Sequence, residues 1–374
     1  MPLLPARLMS GLHARLLLAL AANILLQACQ PAGQSPATSA GADKPAAAAS
    51  GAVQPSLASY HDNSGSEDAL TGGVRLIPIT TPKGTFKVWT KRVGHNPRIK
   101  VLLLHGGPGA THEYFEAFDS YFPGEGIEYY YYDQLGSAYS DQPKDGSLWE
   151  LDRFVDEVEQ VRQALKLDKD NFYLLGHSWG GMLAIEYALK HQQHLKGLVI
   201  SNMMASIPEY VRYAETTLMP AMDQQALKEI LKLEAKKDYD NPRYMQLLIP
   251  HYYVHHILRM PPDQWPDPAK RGFDKINREV YVPMQGPSEM SSSGKLAQWD
   301  RMADLGKITV PTLTIGGQHD TMDPKHMEKM AALMPKGRYL HCAQGSHMSM
   351  YDDQKTWFQG LIRFVRDVDQ GPGK

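Results

Sequence analysis
The sequence predicts an α/β protein built on a mostly parallel sheet, with helices on both faces and an inserted helical cap. Three observations carry that expectation. Short apolar or β-branched runs recur along the chain, amphipathic segments of helical period lie between many of them, and the alternation breaks once, between about residues 206 and 300. Strands joined by helical crossovers lie parallel, and the crossovers cover the sheet on both sides.

The strand runs are Val74 to Thr80, Thr85 to Thr90, Ile99 to Leu104, Ile127 to Tyr132, Phe172 to Leu175, Leu195 to Ser201, Val310 to Ile315 and Tyr339 to Cys342. Several are too continuously apolar for a half-exposed sheet. Leu151 to Leu165 sets Leu151, Phe154, Val155, Val158, Val161 and Leu165 on one helical face, and Met182 to Lys190 and Thr356 to Val368 read as further helices. The interruption holds helical segments, a turn region at Pro261, Pro262 and Pro266, and the aromatics Tyr252, Tyr253 and Trp265. It is read as a cap, residues 206–300, over the carboxyl edge of the sheet, where ligands bind in open α/β folds. The core then comprises residues 71–205 and 301–374.

The amino terminus reads differently. Arg7, His13 and Arg15 precede an eleven-residue uncharged run from Leu16 to Leu26, too short to cross a bilayer but suited to a signal-peptide core. Residues 1–28 are therefore expected to be a leader, and the protein to be exported. Leu26-Gln27-Ala28-Cys29 resembles a bacterial lipobox, although Gln27 stands where a small or hydroxyl residue is usual. Lipidation at Cys29 would hold the protein to a bacterial membrane, facing the periplasm or the cell exterior, without spanning it. A plain secretory cut after Ala28 is the simpler alternative. Residues 29–70 are rich in Ala, Gly, Ser and Pro and poor in large apolar groups, the composition of a disordered tether.

Composition excludes several functions. With 39 Lys and Arg against 41 Asp and Glu in 374 residues, no basic surface favours nucleic acid. Two cysteines, Cys29 and Cys342, make neither a disulfide framework nor a multi-thiolate zinc site. Cys342 is expected to be a small buried core residue.

Three loops at strand ends carry the chemistry. After Phe172 to Leu175 comes Gly176-His177-Ser178-Trp179-Gly180-Gly181 and then a helix. A serine in so sharp a strand-to-helix turn needs glycines beside it and presents its Oγ at the sheet edge. After Ile99 to Leu104 comes His105-Gly106-Gly107-Pro108-Gly109, which lacks the Lys-Ser/Thr ending of a P-loop and the G-x-G-x-x-G spacing of a dinucleotide fold. Its Gly107 N–H and that of Trp179 are assigned as the two donors to a substrate oxyanion, while His105 is expected to hold the loop.

A serine nucleophile needs a base, and the base an orienting acid, each on a later strand-end loop. Val310 to Ile315 leads to Gly316-Gly317-Gln318-His319-Asp320-Thr321-Met322-Asp323-Pro324. Asp323, just before Pro324, has the position of a helix N-cap, which leaves Asp320 as the acid. Tyr339 to Cys342 leads to a glycine turn and His347, the expected base; His341, inside the strand, is the weaker candidate. His251, His255 and His256 invite a metal reading. The cluster lacks the H-E-x-x-H form and a third ligand, so an aromatic-lined cap face is preferred and no metal is assigned.

Together H-G-G-P-G, D-Q-x-G-x-x-x-S from Asp133 and Gln134 through Leu135 and Gly136 to Ser140, G-H-S-W-G-G, and the Asp320 and His347 loops resemble the proline iminopeptidase family of α/β hydrolases from about Val74 to Val368. The resemblance implies an α/β-hydrolase fold and release of an N-terminal residue, commonly proline, from a peptide or small amide. It implies Ser178 as nucleophile, His347 as base, Asp320 as acid, and Gly107 with Trp179 as oxyanion hole, without metal or organic cofactor. Gly286-Pro287-Ser288-Glu289-Met290 resembles the family's G-P-N-E-F segment, which makes Glu289 the expected partner of the substrate ammonium. Two positions depart from the pattern. Thr321 stands where some relatives carry a second amine-binding glutamate, and Leu135 where many have arginine. Hydrolysis of esters, lactones or N-blocked amides by the same triad, and a binding protein on an inert scaffold, are the alternative readings.

Overall fold
The computed structural model describes residues 56–371. The expected leader, Cys29 and the first part of the tether lie outside the described residues.

Eight strands form one sheet in the order β1-β2-β4-β3-β5-β6-β7-β8. They are β1 (Val74–Thr81), β2 (Gly84–Val93), β3 (Lys100–Leu104), β4 (Glu128–Asp133), β5 (Phe172–His177), β6 (Gly197–Ser201), β7 (Thr312–Gly317) and β8 (Gly337–Cys342). From β4 to β8 the pairing is parallel, whereas β1 with β2 and β2 with β4 are antiparallel. For β1 and β2 the reason is connection length: only Pro82 and Lys83 separate them, enough for a hairpin but not for a crossover. Each sequence run corresponds to one strand, with ends shifted by up to a few residues.

The sheet divides the core by alternation. Leu102, Leu104, Leu174, Leu198 and Ile200 join one apolar cluster with the helices Leu151–Ala164 and Trp179–His191. Their neighbours Val101, Leu103, Tyr173, Leu175 and Val199 join the other, which includes Trp357, Phe358, Leu361 and Val365 of the helix Gln354–Gln370. Side chains that alternate across a strand and are buried on both sides explain why these runs are continuously apolar. Full burial of a residue such as Phe358 contributes about 1.5–3 kcal/mol.

Between β6 and β7 the chain is helical, with Ile207–Tyr213, Gln224–Ala235, Pro242–Leu248, Asp267–Asp274 and Arg278–Met284 among its segments. Helix Asp267–Asp274 packs on the turn His112–Ser120 that follows β3, so this insertion meets the sheet at the end where the glycine loop leaves it.

The tether expected to run to residue 70 ends sooner. Ser56 caps a helical turn, Leu57–Tyr60, its Oγ accepting from Ser59 N at 3.1 Å. Tyr60 is fully buried and its hydroxyl donates to the Ile127 carbonyl at 2.9 Å. Asp68 takes two bonds from the Arg92 guanidinium, at 2.6 and 3.0 Å, in a nearly buried pair. One aromatic and one ion pair anchor the segment, and a composition average over forty residues dilutes both.

Candidate active site
Ser178 joins β5 to the helix Trp179–His191 with φ 57° and ψ −129°, a conformation costly for any residue with a Cβ. Its neighbours make the turn possible. A Cβ on Gly176 would lie 1.9 Å from the Gly180 carbonyl oxygen, and one on Gly180 would lie 2.0 Å from that of Leu104. The flanking glycines are thus required by close backbone approach, as the G-x-S-x-G spacing implied. Ser178 opens, with Gly107, Tyr114, His177, Glu289 and His347, into one shared cavity. Trp179 is the first residue of its helix, so its N–H has no partner within the helix. Gly107, at φ +111°, lines a second recess with Ser178, Trp179 and Glu289.

Asp320 and His347 are joined directly, Nδ1 to Oδ1 at 2.8 Å. Both are buried. Asp320 Oδ1 also accepts from Met322 N at 3.1 Å, and Oδ2 accepts from Asn202 Nδ2 at 2.7 Å. Burial works to lower the His347 pKa, but the charge and hydrogen bond of Asp320, with the charge of Glu289, outweigh it and hold the imidazole above its ordinary value. With Nδ1 committed to Asp320, Nε2 is the ring nitrogen left free of that pair. Ser178 and His347 share the cavity, with no hydrogen bond between their side chains among the described residues. Asp323 caps the helix Pro324–Leu333 by accepting from Lys325 N at 2.9 Å, and His341 lies exposed on β8.

The D-Q-x-G-x-x-x-S run supports the loops from behind. Gln134 Nε2 donates to the His105 carbonyl at 3.0 Å while its Oε1 accepts from the Trp179 indole at 2.8 Å, so one side chain spans the glycine loop and the elbow. His105 accepts from Gln134 N at 3.1 Å through Nε2 and bonds the Gly106 carbonyl through Nδ1. Burial pushes its pKa down to about 4, so it is neutral and holds the loop. Asp133 accepts from His112 N at 2.9 Å, and Ser140 Oγ accepts from Trp89 N at 2.8 Å.

Glu289 is half-buried in the inserted segment and lines the cavity of Ser178 and His347. Burial raises its pKa, while the His347 charge and the Tyr281 hydroxyl, which donates to Oε1, work to lower it. Thr321, fully buried, faces the Asp320–His347 pair: its hydroxyl lies 3.3 Å from Asp320 Oδ1 and 3.4 Å from His347 Nδ1.

Other contributors were not singled out from the sequence. Asn202, at positive φ just after β6, bonds Asp320, the Ser346 carbonyl at 3.1 Å and Ser349 Oγ at 3.2 Å, tying the Asp320 loop to the His347 loop. The only signal for it was its place at the end of a strand. His256, one of the three clustered histidines, bonds the His319 carbonyl through Nδ1 at 2.9 Å, and its own carbonyl accepts from His347 N at 2.9 Å. The inserted segment is therefore stitched to the backbone of His347. Among the described residues, Glu159, His191 and His194 bring three metal-type ligand atoms within 4.8 Å of one another, at the far end of the helix that Ser178 begins. That carboxylate already receives Arg162 at 2.7 and 2.8 Å.

A serine at a strained elbow after β5, a glycine-rich loop on the neighbouring strand and a buried Asp–His pair on the loops after β7 and β8 define the chain as an α/β hydrolase. The family model described as alpha/beta hydrolase fold matches residues 100–354. Within that class the chain belongs to the proline iminopeptidase family. The proline iminopeptidase of Flavobacterium johnsoniae is 60% identical over 294 residues, covering 79% of this chain and 98% of the relative. That of Elizabethkingia meningoseptica is 60% identical over 296 residues, with the same coverage of both chains. The crystal structure of the Mycobacterium smegmatis proline iminopeptidase superposes with a TM-score of 0.70 at 26% identity, over 79% of this chain and 99% of that one.

Proposed function
We propose that this protein is a serine aminopeptidase that releases N-terminal proline from peptides through an acyl-enzyme. The observation that carries the reading is the placement of the Glu289 carboxylate in the same cavity as Ser178 and His347. A carboxylate there offers a charge-assisted bond to a free N-terminal ammonium, worth on the order of 1.5–3 kcal/mol.

In this mechanism the bound amine fixes the scissile carbonyl beside Ser178 Oγ. His347 Nε2 takes the hydroxyl proton as Oγ attacks the carbonyl carbon, and the Gly107 and Trp179 N–H groups receive the charge that develops on oxygen. Asp320 holds the imidazole in the required tautomer and stabilises its positive form. His347 then gives its proton to the leaving amine. Water attacks the acyl-enzyme with His347 again as base, freeing the N-terminal residue. In apo enzymes the catalytic serine–histidine hydrogen bond is often long or poorly aligned, and it tightens when substrate binds.

Turnover of proline and alanine arylamides, their N-acetylated forms and a short-chain aryl ester tests this reading. Activity on the free proline arylamide that is lost on acetylation is expected; preference for the acetylated amide or the ester would place the protein among the other hydrolases of the fold. Glu289→Gln is expected to raise KM for the proline arylamide roughly 10- to 100-fold, the equivalent of the lost charge-assisted bond. His347 must be neutral to act, so its raised pKa places the acidic limb of kcat/KM above the ordinary histidine value. Removing the Glu289 charge, which helps to raise that pKa, should move the limb to lower pH. A limb that stays in place would show that the two groups do not interact.

A further inference from the structure
His177 and Tyr114 take no part in the chemistry above, yet both are buried against it and line the cavity. His177 is the last residue of β5, directly before Ser178, and Tyr114 lies in the turn after the glycine loop. Their polar atoms form a continuous path. The Gly106 N–H donates to Tyr114 Oη at 2.6 Å, Tyr114 Oη lies 3.1 Å from His177 Nδ1, and His177 Nε2 lies 2.8 Å from the His347 carbonyl oxygen.

Only one proton arrangement satisfies every member. A carbonyl can only accept, so His177 Nε2 carries the proton and Nδ1 is the acceptor. Tyr114 must then donate to Nδ1 while its oxygen accepts from Gly106. The path begins beside Gly107 and ends on the backbone of the base, passing through the residue next to the nucleophile. It therefore links the oxyanion loop, the elbow and the base loop.

We propose that His177 and Tyr114 are positioning residues whose hydrogen-bonded bridge fixes the Gly106–Gly107 loop and the His347 loop relative to Ser178. This rests on the reading of Ser178 as nucleophile and His347 as base. Burial, with repulsion from the His347 charge, pushes the His177 pKa down to about 3. The bridge thus keeps its proton arrangement while the neighbouring His347 gains and loses a proton during turnover. Replacing Tyr114 by phenylalanine keeps the ring but leaves Gly106 N–H and His177 Nδ1 without partners, and the loops are then free to shift. Displacements of about 1 Å at reacting groups cost up to roughly 100-fold in rate.

The test uses Tyr114→Phe, His177→Ala, His177→Gln and Ser178→Ala in the full-length protein, with kcat and KM on a proline arylamide. Inhibition by a proline boronate, which forms a tetrahedral serine adduct, is compared with inhibition by free proline. Tyr114→Phe is expected to lower kcat roughly 10- to 100-fold, with KM within about threefold of wild type. Boronate affinity should fall in parallel while proline affinity holds, a split that general loosening of the fold does not produce. His177→Gln, whose amide can donate to the His347 carbonyl where Nε2 does, should retain severalfold more kcat than His177→Ala, and this comparison decides if Tyr114→Phe fails to fold. Wild-type kcat in Tyr114→Phe, equal kcat in the two His177 variants, or equal loss of boronate and proline binding overturns the proposal. If Ser178→Ala is inactive while the bridge variants keep wild-type kcat, the bridge alone is refuted; if Ser178→Ala remains active, the underlying reading fails instead.

Discussion

Ser178→Ala is expected to lower kcat on a proline arylamide on the order of 10⁶-fold, because the attacking oxygen disappears and the rest of the site cannot replace it. The fold should survive the change. Alanine keeps the Cβ and the backbone N–H that donates to the Ser201 carbonyl at 3.0 Å, and Ser178 Oγ holds no other part of the structure together among the described residues. Steady-state kinetics beside a thermal melt separates the two quantities: unchanged melting with lost turnover assigns the loss to chemistry. Activity within about tenfold of wild type would remove Ser178 from the mechanism.

Asp320→Asn is expected to cost on the order of 10⁴-fold in kcat. The carboxylate accepts from His347, Asn202, Met322 and Thr321, and an asparagine offers one acceptor oxygen in place of two. If its amide nitrogen faces His347, the imidazole must accept at Nδ1 and carry its proton at Nε2, the tautomer that cannot take a proton from Ser178. If the amide faces Asn202 instead, two donors meet, and a buried donor left unpaired costs about 1–3 kcal/mol. In either arrangement the charge that helps to raise the His347 pKa is gone, so residual activity should show its acidic limb at lower pH than wild type. An unshifted limb would show that the His347 pKa does not depend on this carboxylate.

The parts of the site that local chemistry dictates were legible in the sequence. Gly176 and Gly180 bracket Ser178 because the backbone approaches within 2 Å of where a Cβ would be, and such a constraint writes itself as a short motif. Asp323 could be told from Asp320 by Pro324 alone, since a carboxylate before a first-turn proline has helix N–H groups to bind. The central strands β3, β5 and β6 were readable because burial on both faces removes polar residues from the run.

What depends on tertiary convergence was not legible. Asn202 acts only because β6 ends beside the loops after β7 and β8, and nothing in its own neighbourhood marks it. The three histidines of the inserted segment share a spacing, yet His256 is used for its ring on His319 and its carbonyl on His347, contacts that no spacing encodes. Thr321 differs again. As a departure from the family pattern it read as a missing amine ligand, and its hydroxyl sits on the Asp320–His347 pair. The start of the folded body was placed too late because Tyr60 and Asp68 find their partners, Ile127 and Arg92, far along the chain.

Peptide mapping by mass spectrometry after treatment with a fluorophosphonate tests most directly whether Ser178 is an activated nucleophile. Phosphonylation at neutral pH requires a serine whose proton a neighbouring base removes. One stoichiometric adduct on the peptide bearing Ser178, with parallel loss of proline arylamide turnover, is expected. An adduct on another residue, or full turnover by protein that carries no adduct after prolonged exposure, would show that the prolyl group is not passed to this serine.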